Sequence, residues 1–305
     1  MSDLTTELCG LKLSSPLLTA SGCAGYGQEF FQVVDSRCLG AFVTKSATLH
    51  PRDGNEGCRV AETPAGMLNS IGLANPGIEQ VMAEELKNLQ GRNLPIILSI
   101  AGFSPEEYAS CIRIAEAHGG FDMYELNLSC PNVGDHGLAL ASTPEGIRTI
   151  MSQVRGLTRR PLLVKLKPEV ADIALIARTA QDCGADGLVC CNTYTGMRID
   201  IAKGRPVMAK GIGGFSGPAV FPMAVKNVFL VSQAVSIPVV GVGGIASARD
   251  VVEMMMAGAS AVQIGAAALR QPEIFMKIHR DLEALLAKLR VERIQDIIGR
   301  VHRHD

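Results

Sequence analysis

The stretch Val239-Val-Gly-Val-Gly-Gly-Ile-Ala-Ser-Ala-Arg-Asp-Val-Val-Glu-Met-Met-Met-Ala-Gly-Ala-Ser-Ala-Val-Gln-Ile-Gly-Ala-Ala267 contains one complete structural unit. It opens on a short β-branched run, 239–245, that is apolar on both faces, as a parallel strand buried on both sides should be. Ser247-Ala-Arg-Asp250 then supplies a helix start, and Val251 to Ala257 continue as a helix apolar enough to pack onto a sheet. A second apolar run, 261–267, follows. Strand, helix and parallel strand make a right-handed βαβ unit.

The same alternation recurs along the whole chain. Strand candidates fall at 17–22, 41–47, 96–101, 123–129, 162–167, 187–192, 239–245 and 261–267. Eight such strands with intervening helices close most naturally into a (β/α)8 barrel, which typically takes about 250 residues. The 305 residues therefore fit one domain, 1–305, and no break in composition suggests a boundary. Ser104-Pro-Glu-Glu107 is a capping box with Pro at the first helical position, and Asn75-Pro-Gly77 and Thr143-Pro-Glu145 give two further capped starts. Residues 4–16 read as a short hairpin capping the barrel bottom. The Gly-rich stretch 193–217 reads as a long loop after strand six, and loops of that length are usually functional.

Composition excludes several classes. The formal net charge is −1 and no long basic run occurs, which argues against nucleic acid or a membrane surface as the main partner. No apolar run is long enough to span a bilayer, and the first residues lack the charged and apolar regions of a signal peptide. A cytoplasmic protein is expected. The nine cysteines include no Cys-x-x-Cys, and the six histidines show no helical pair, so no metal site is expected on this chain.

In barrels of this kind the chemistry sits at the C-terminal strand ends. Those ends are unusually polar here: Ser21, Lys45 and Ser46, Ser99, Asn127 and Cys130, Lys165, Asn192 and Thr193, Gly243 and Gly244, then Gly265 and Ala266. Lys165 stands in an otherwise apolar strand. A buried ammonium is costly unless compensated, so it meets either an anionic ligand or an internal carboxylate such as Glu125. Lys45 poses the same question from strand two. The glycines after strands seven and eight stand where such barrels often hold a phosphate on backbone N–H groups, which suits FMN or a sugar phosphate. Cys130 lies just past strand four, between Asn127 and Asn132. An unperturbed thiol titrates near pH 8.5, so a modest change of surroundings makes it a usable base or nucleophile.

Taken in order, Thr44-Lys-Ser46, Asn69-Ser-Ile-Gly-Leu73, Asn127-Leu-Ser-Cys-Pro-Asn132, Asn192-Thr-x-x-Gly-Met-Arg-Ile-Asp200, Gly213-Gly-x-Ser-Gly217 and Gly241-Val-Gly-Gly-Ile245 closely resemble class 1 dihydroorotate dehydrogenases. The resemblance runs along nearly the whole chain. It implies an FMN enzyme that oxidises (S)-dihydroorotate to orotate in pyrimidine biosynthesis, with Cys130 taking a proton from carbon 5 while a hydride leaves carbon 6 for the flavin. It further implies that Lys45, Asn69, Ser70, Ile71, Gly72, Leu73, Asn127, Asn192 and Thr193 hold the substrate. Lys165 would stabilise negative charge on the reduced flavin. Ser21, Lys45, Ser46, Ser99, Asn127, Lys165, Cys191 and Gly217 would line FMN, and Gly243, Gly244, Gly265 and Ala266 its phosphate.

The sequence after the thiol, Asn132-Val-Gly-Asp-His-Gly-Leu-Ala-Leu140, is similar to the type 1B catalytic subunit. That type passes electrons to NAD through a partner carrying FAD and a 2Fe–2S cluster, as a heterotetramer of two catalytic and two electron-transfer subunits. This chain departs from the pattern at Ala266, where a threonine is expected, and at Cys191, where an aliphatic residue is usual. The alternatives are a fumarate-using type 1A enzyme, a dihydropyrimidine dehydrogenase subunit, and a flavin-free barrel isomerase or lyase acting on a sugar phosphate.

Overall fold

The computed structural model describes residues 2–128 and 142–303. Eight parallel strands form one sheet: β1 (Leu17–Thr19), β2 (Phe42–Val43), β3 (Ile96–Ile100), β4 (Met123–Asn127), β5 (Leu162–Lys165), β6 (Gly187–Cys190), β7 (Val239–Val242) and β8 (Ala259–Ile264). Their order around the sheet is β1-β8-β7-β6-β5-β4-β3-β2. A parallel bridge between Leu18 and Ala41 joins the two ends, so the sheet closes into the expected (β/α)8 barrel. Thr19 reinforces the seam. Its hydroxyl donates to Val43 O at 3.0 Å and accepts from Val43 N at 2.8 Å, replacing ladder bonds that the two-residue strand β2 does not make.

Helices α1 (Ile78–Ala83), α2 (Pro105–His118), α3 (Pro144–Val154), α4 (Ile173–Asp182), α5 (Phe221–Ala234), α6 (Ala248–Met256) and α7 (Ala266–Arg270) follow strands β2 to β8 in turn, and α8 (Ile274–Lys288) comes after α7. The crossover after β1 uses two short 3-10 turns, Phe30–Gln32 and Ser36–Cys38. Three of the four capped starts behave as the sequence implies. Ser104, Thr143 and Ser247 accept from the backbone N–H groups of Glu107, Gly146 and Asp250. Asn75 does not cap its helix. Its carboxamide oxygen accepts from Thr48 N and Gly77 N, pinning the preceding turn, and α1 begins only at Ile78.

Strand parity divides the core in two. Leu18, Val43, Ile97, Met123, Leu163, Val189, Val240 and Ala261 fill the barrel interior, where Leu8 and Leu13 of the N-terminal hairpin (Thr6–Leu8 with Leu11–Leu13) join them. The hairpin thus plugs the bottom, as its sequence suggested. Their strand neighbours, among them Leu17, Phe42, Leu98, Tyr124, Leu126 and Val164, face outward into the layer shared with the helices. Because side chains alternate along a strand, continuing the inward series upward gives Ser99, Glu125 and Asn127, Lys165, and Gln263. These polar residues form the next layer of the interior.

Two sequence expectations need correction. The strands stop earlier than their apolar runs suggest. β2 ends at Val43 because Lys45 turns its N–H to Gly25 O, and β8 ends at Ile264 because Gly265 breaks the strand and the alanines after it start α7. Residues 193–217 are not a plain loop. Tyr194–Gly196 and Gly213–Ser216 pair antiparallel with each other, and Gly213–Ser216 also pairs with Gly66–Asn69, which pairs with Val60–Thr63. This four-stranded sheet is built from the segments leaving β2 and β6 at their C-terminal ends, which places it at the site-bearing rim.

Candidate active site

The polar interior layer begins with a buried ion pair. Lys165 Nζ lies 3.3 Å from Glu125 Oε1 and donates to Gln263 Oε1 at 3.2 Å; Gln263 Nε2 in turn donates to Glu125 Oε2 at 2.5 Å. The two charged side chains are 6% and 0% exposed, so neither has water to replace its partner. Of the two readings open for Lys165, the internal carboxylate is therefore realised. The lysine's charge is matched inside the protein, and its burial by itself does not demand an anionic ligand.

From Glu125 the network climbs to the mouth. Ser99 donates to Glu125 Oε1 at 3.4 Å, and the hydroxyls of Ser21, Ser46 and Ser99 form a triangle with sides of 3.1, 3.0 and 2.8 Å. Asn127 Nδ2 donates to Ser46 at 3.2 Å and accepts, through its Oδ1, from Asn192 Nδ2 at 3.1 Å. Tyr108 on α2 fixes the Asn127 backbone by donating to its carbonyl at 2.7 Å. Six strands thus contribute to one connected set of donors and acceptors, β1, β2, β3, β4, β5 and β8 or the residues just past them, with Asn192 joining from the end of β6. That is a surface able to hold a flat, polar, multiply hydrogen-bonding ring.

The second group lies on the rim sheet. Asn69 pairs with Gly214 in the ladder and donates its side-chain amide to Gly214 O at 3.1 Å. A Cβ on Gly214 would meet Thr193 Oγ1 at 2.2 Å, so glycine there is what lets Asn69 and Thr193 approach one another. Thr193 is tied to the first group through its N–H, which donates to Asn192 Oδ1 at 2.8 Å. Residues Ser70 to Leu73 continue from Asn69 and are fastened from below: Asn55 holds Ser70 and Ile71, Arg52 reaches Gly72 O, and Asn75 holds Leu73 O. Lys45, next to Ser46, is half-buried. Burial first, and then the nearby Arg59 guanidinium, push its ammonium below the usual lysine range.

The glycines after β7 and β8 have a packing role as well. Gly243 and Gly244 have φ of 129° and 74°, and a Cβ on Gly244 would strike the Phe221 backbone at 2.8 Å. A Cβ on Gly265 would press on Ala20 and Cys23 at 3.3–3.4 Å. Gly217, at φ 105°, lies against the Gly66 backbone. Ala266 is the first residue of α7. Cys191 is buried beside Cys190 and accepts from Asn227 Nδ2 at 3.4 Å. Cys130, with Ser129 and residues 131–141, lies outside the described residues.

Comparison with known proteins decides the family. The family model described as dihydroorotate dehydrogenase matches residues 3–286. The chain belongs to the dihydroorotate dehydrogenase family. It is 46% identical over 300 residues to the dihydroorotate dehydrogenase B (NAD(+)) catalytic subunit of Geobacillus kaustophilus, covering 98% of this chain and 96% of that protein. The subunit of the same name from Anoxybacillus flavithermus is 45% identical over 300 residues, with coverage of 98% and 96%. That of Pelobacter propionicus is 44% identical over 297 residues, with coverage of 97% and 98%.

For a dihydroorotate dehydrogenase family member, sequence reasoning had collected most of the mouth but not what lies beneath it. Gln263 does not stand out in the sequence, and Glu125 stands out only as a partner for Lys165. The signal was parity: Glu125 is two residues before Asn127, and Gln263 two after Ala261. Arg59, Tyr194 and Asn227 do not stand out either. Tyr194 comes from the rim sheet, Arg59 from just before its strand Val60–Thr63 and Asn227 from α5, and their approach to the mouth depends on long-range pairing that no local pattern specifies. Among the described residues no helix is long and apolar enough to cross a membrane.

Proposed function

We propose that this chain is the catalytic subunit of an NAD-linked dihydroorotate dehydrogenase, a single FMN-binding barrel domain that oxidises (S)-dihydroorotate to orotate in pyrimidine biosynthesis. The observation that carries the reading is the connected layer of serine hydroxyls, Asn127 and Asn192 at the C-terminal mouth, in a chain 46% identical to a protein of that name. The donor set fits FMN. The hydroxyls of Ser21, Ser46 and Ser99 and the carboxamide of Asn127 offer both donors and acceptors to a flavin ring, and we assign Cys191 and Gly217 to line it as well. The bare backbones of Gly243, Gly244, Gly265 and Ala266 suit a phosphate. When bound, FMN supplies the two-electron acceptor for the oxidation.

The chain's own residues do the rest. Lys45 and Asn69 face the substrate carboxylate, with the 70–73 segment shaping that end of the site. Asn127 and Asn192, already locked to each other, orient the ring amides, and Thr193 closes the edge. Cys130 holds the proton taken from carbon 5. Lys165 sets a positive charge on the cofactor side, where its effect is tempered by Glu125. Electrons then leave through a partner subunit carrying FAD and a 2Fe–2S cluster, in a cytoplasmic heterotetramer of two subunits of each kind. Turnover of dihydroorotate but not of uncarboxylated dihydrouracil tests the substrate assignment; activity confined to dihydrouracil would contradict it.

Two expectations follow from individual residues. Only the protonated Lys45 pairs with the substrate carboxylate, and its proton is lost below the usual lysine range. KM for dihydroorotate should therefore rise with pH on the alkaline side earlier than an ordinary lysine would dictate, and a Lys45→Met variant should lose that dependence. A KM flat across alkaline pH in the unmodified protein would remove Lys45 from the carboxylate. Separately, Ala266→Thr should tighten FMN about fivefold, the effect of roughly one net hydrogen bond, measured by flavin fluorescence on rebinding to apoprotein.

A further inference from the structure

Cys190 ends β6 directly beneath the mouth and Cys191 follows it, and neither the oxidation chemistry nor substrate binding uses their sulfurs. Both side chains are buried, and their Sγ atoms lie 3.1 Å apart, closer than ordinary van der Waals contact between sulfurs. Cys9, Cys38 and Cys58 instead donate to backbone carbonyls. The pair is wired to the site on both sides. Asn227 Nδ2 donates to Cys191 Sγ and also to the Tyr194 hydroxyl at 3.0 Å, and Tyr194 begins the rim sheet. On the chain itself the next residue is Asn192, whose amide is bonded to Asn127.

We propose that Cys190 and Cys191 form a reversible two-electron oxidation site, at which a peroxide closes a disulfide between the adjacent sulfurs and thereby loosens the substrate-binding asparagines. The chemistry balances with hydrogen peroxide as oxidant. Cys191 sulfur attacks one peroxide oxygen, the O–O bond breaks, and a sulfenic acid forms as water leaves with the thiol proton. Cys190 sulfur then displaces the sulfenic oxygen, which departs as a second water with the Cys190 proton. Two thiols are oxidised and one peroxide is reduced to two waters.

The order of events follows from the surroundings. Cys191, one residue nearer the mouth and the less completely buried of the two, meets the peroxide first; burial, and then the neighbouring Cys191, push the Cys190 thiol well above the usual range. The sulfurs need to approach by about 1 Å to reach the roughly 2.05 Å of a disulfide. That movement withdraws Cys191 Sγ from Asn227 and strains the backbone leading into Asn192. Cα atoms one residue apart lie at most about 3.8 Å from each other, short of the roughly 4.4–6.8 Å usual across a disulfide. Such a bond is strained and readily reduced, the property of a regulatory rather than a structural link.

The test is peptide mapping of the whole protein after a hydrogen peroxide pulse, quenched and alkylated. The tryptic fragment 179–198 carries both cysteines and Cys183. In the unmodified protein and in Cys183→Ser it should escape alkylation at 190 and 191 and be two hydrogens lighter there than the free dithiol, revert to full alkylation with dithiothreitol, and stay unchanged in Cys190→Ala or, if that variant fails to fold, Cys190→Ser. Full alkylation of both neighbours after peroxide, or a loss of two hydrogens that persists without Cys190, overturns the site. The second arm rests on the substrate assignment above. Orotate affinity should fall about tenfold on oxidation, as loss of a site hydrogen bond would give, and recover with dithiothreitol, while Cys190→Ala keeps its untreated affinity. An equal fall in Cys190→Ala assigns the effect to another thiol and overturns the switch. A protein that binds no orotate even untreated contradicts the function proposed above, and the peptide masses still decide the disulfide.

Discussion

Cys130→Ala should abolish steady-state oxidation of dihydroorotate while leaving the protein folded and its FMN in place. General-base catalysis is worth about 10²–10⁴-fold, and alanine offers no group to take the carbon 5 proton, so a drop of at least about a hundredfold in kcat is expected. FMN retention should not follow, because apart from Asn127 the residues proposed to hold it lie on other strands. Cys130→Ser separates the base from mere bulk. A hydroxyl is a far weaker acid than a thiol, so this variant should keep a small activity that grows with pH. Normal turnover in Cys130→Ala would show that another group takes the proton. Stopped-flow reduction of the bound flavin, with orotate release measured in parallel, checks both variants.

The second large effect concerns stability. Lys165→Met should destabilise the barrel by about 3–5 kcal/mol, the usual result of leaving one member of a buried ion pair without its partner. Glu125 is completely buried, and its remaining contacts to Gln263 and Ser99 are neutral. Neutral donors do not replace an ammonium. Removing the carboxylate as well, in Lys165→Met with Glu125→Leu, should recover most of the loss, because a matched apolar replacement of the whole pair is often neutral. Urea denaturation reads the difference as a shift in midpoint at constant slope. If the single variant were as stable as the parent, the ion pair would not be holding the interior layer together. Both variants should also show altered flavin reduction if Lys165 acts on the cofactor side, which a purely structural lysine would not cause.

Much of this architecture is legible in the sequence, for physical reasons that also explain what is not. The barrel follows from eight short runs that are apolar on both faces, a pattern set by burial under helices. Residues 4–16 read as a hairpin because apolar Leu8 and Leu13 alternate with polar neighbours, and those two leucines are the ones that fill the barrel bottom. The mouth residues on β1 to β6 stand out because a serine, lysine or asparagine in such a run is conspicuous. Strand ends are less legible: the apolar run at 41–47 outlasts β2, since the chain leaves the ladder at Lys45 and Ser46, and Ala47 rejoins it only as a single bridge to Ile100.

The rim sheet was not legible at all. Tyr194–Gly196 and Gly213–Ser216 are too short and too Gly-rich to signal strands locally. They are strands only because Gly66–Asn69, about 150 residues away in sequence from Gly213–Ser216, supplies the partner edge. Lys165 shows a different limit. The sequence posed the choice between an external anion and an internal carboxylate correctly. Only the geometry, with Nζ 3.3 Å from Glu125, decides it.

The most direct test is a single anaerobic turnover of the isolated chain. Loaded with FMN and mixed with (S)-dihydroorotate without partner subunit or NAD, the flavin should bleach to its reduced form and release one orotate for each flavin reduced. A flavin that stays oxidised in excess dihydroorotate, or a chain that takes up no FMN, would contradict the account.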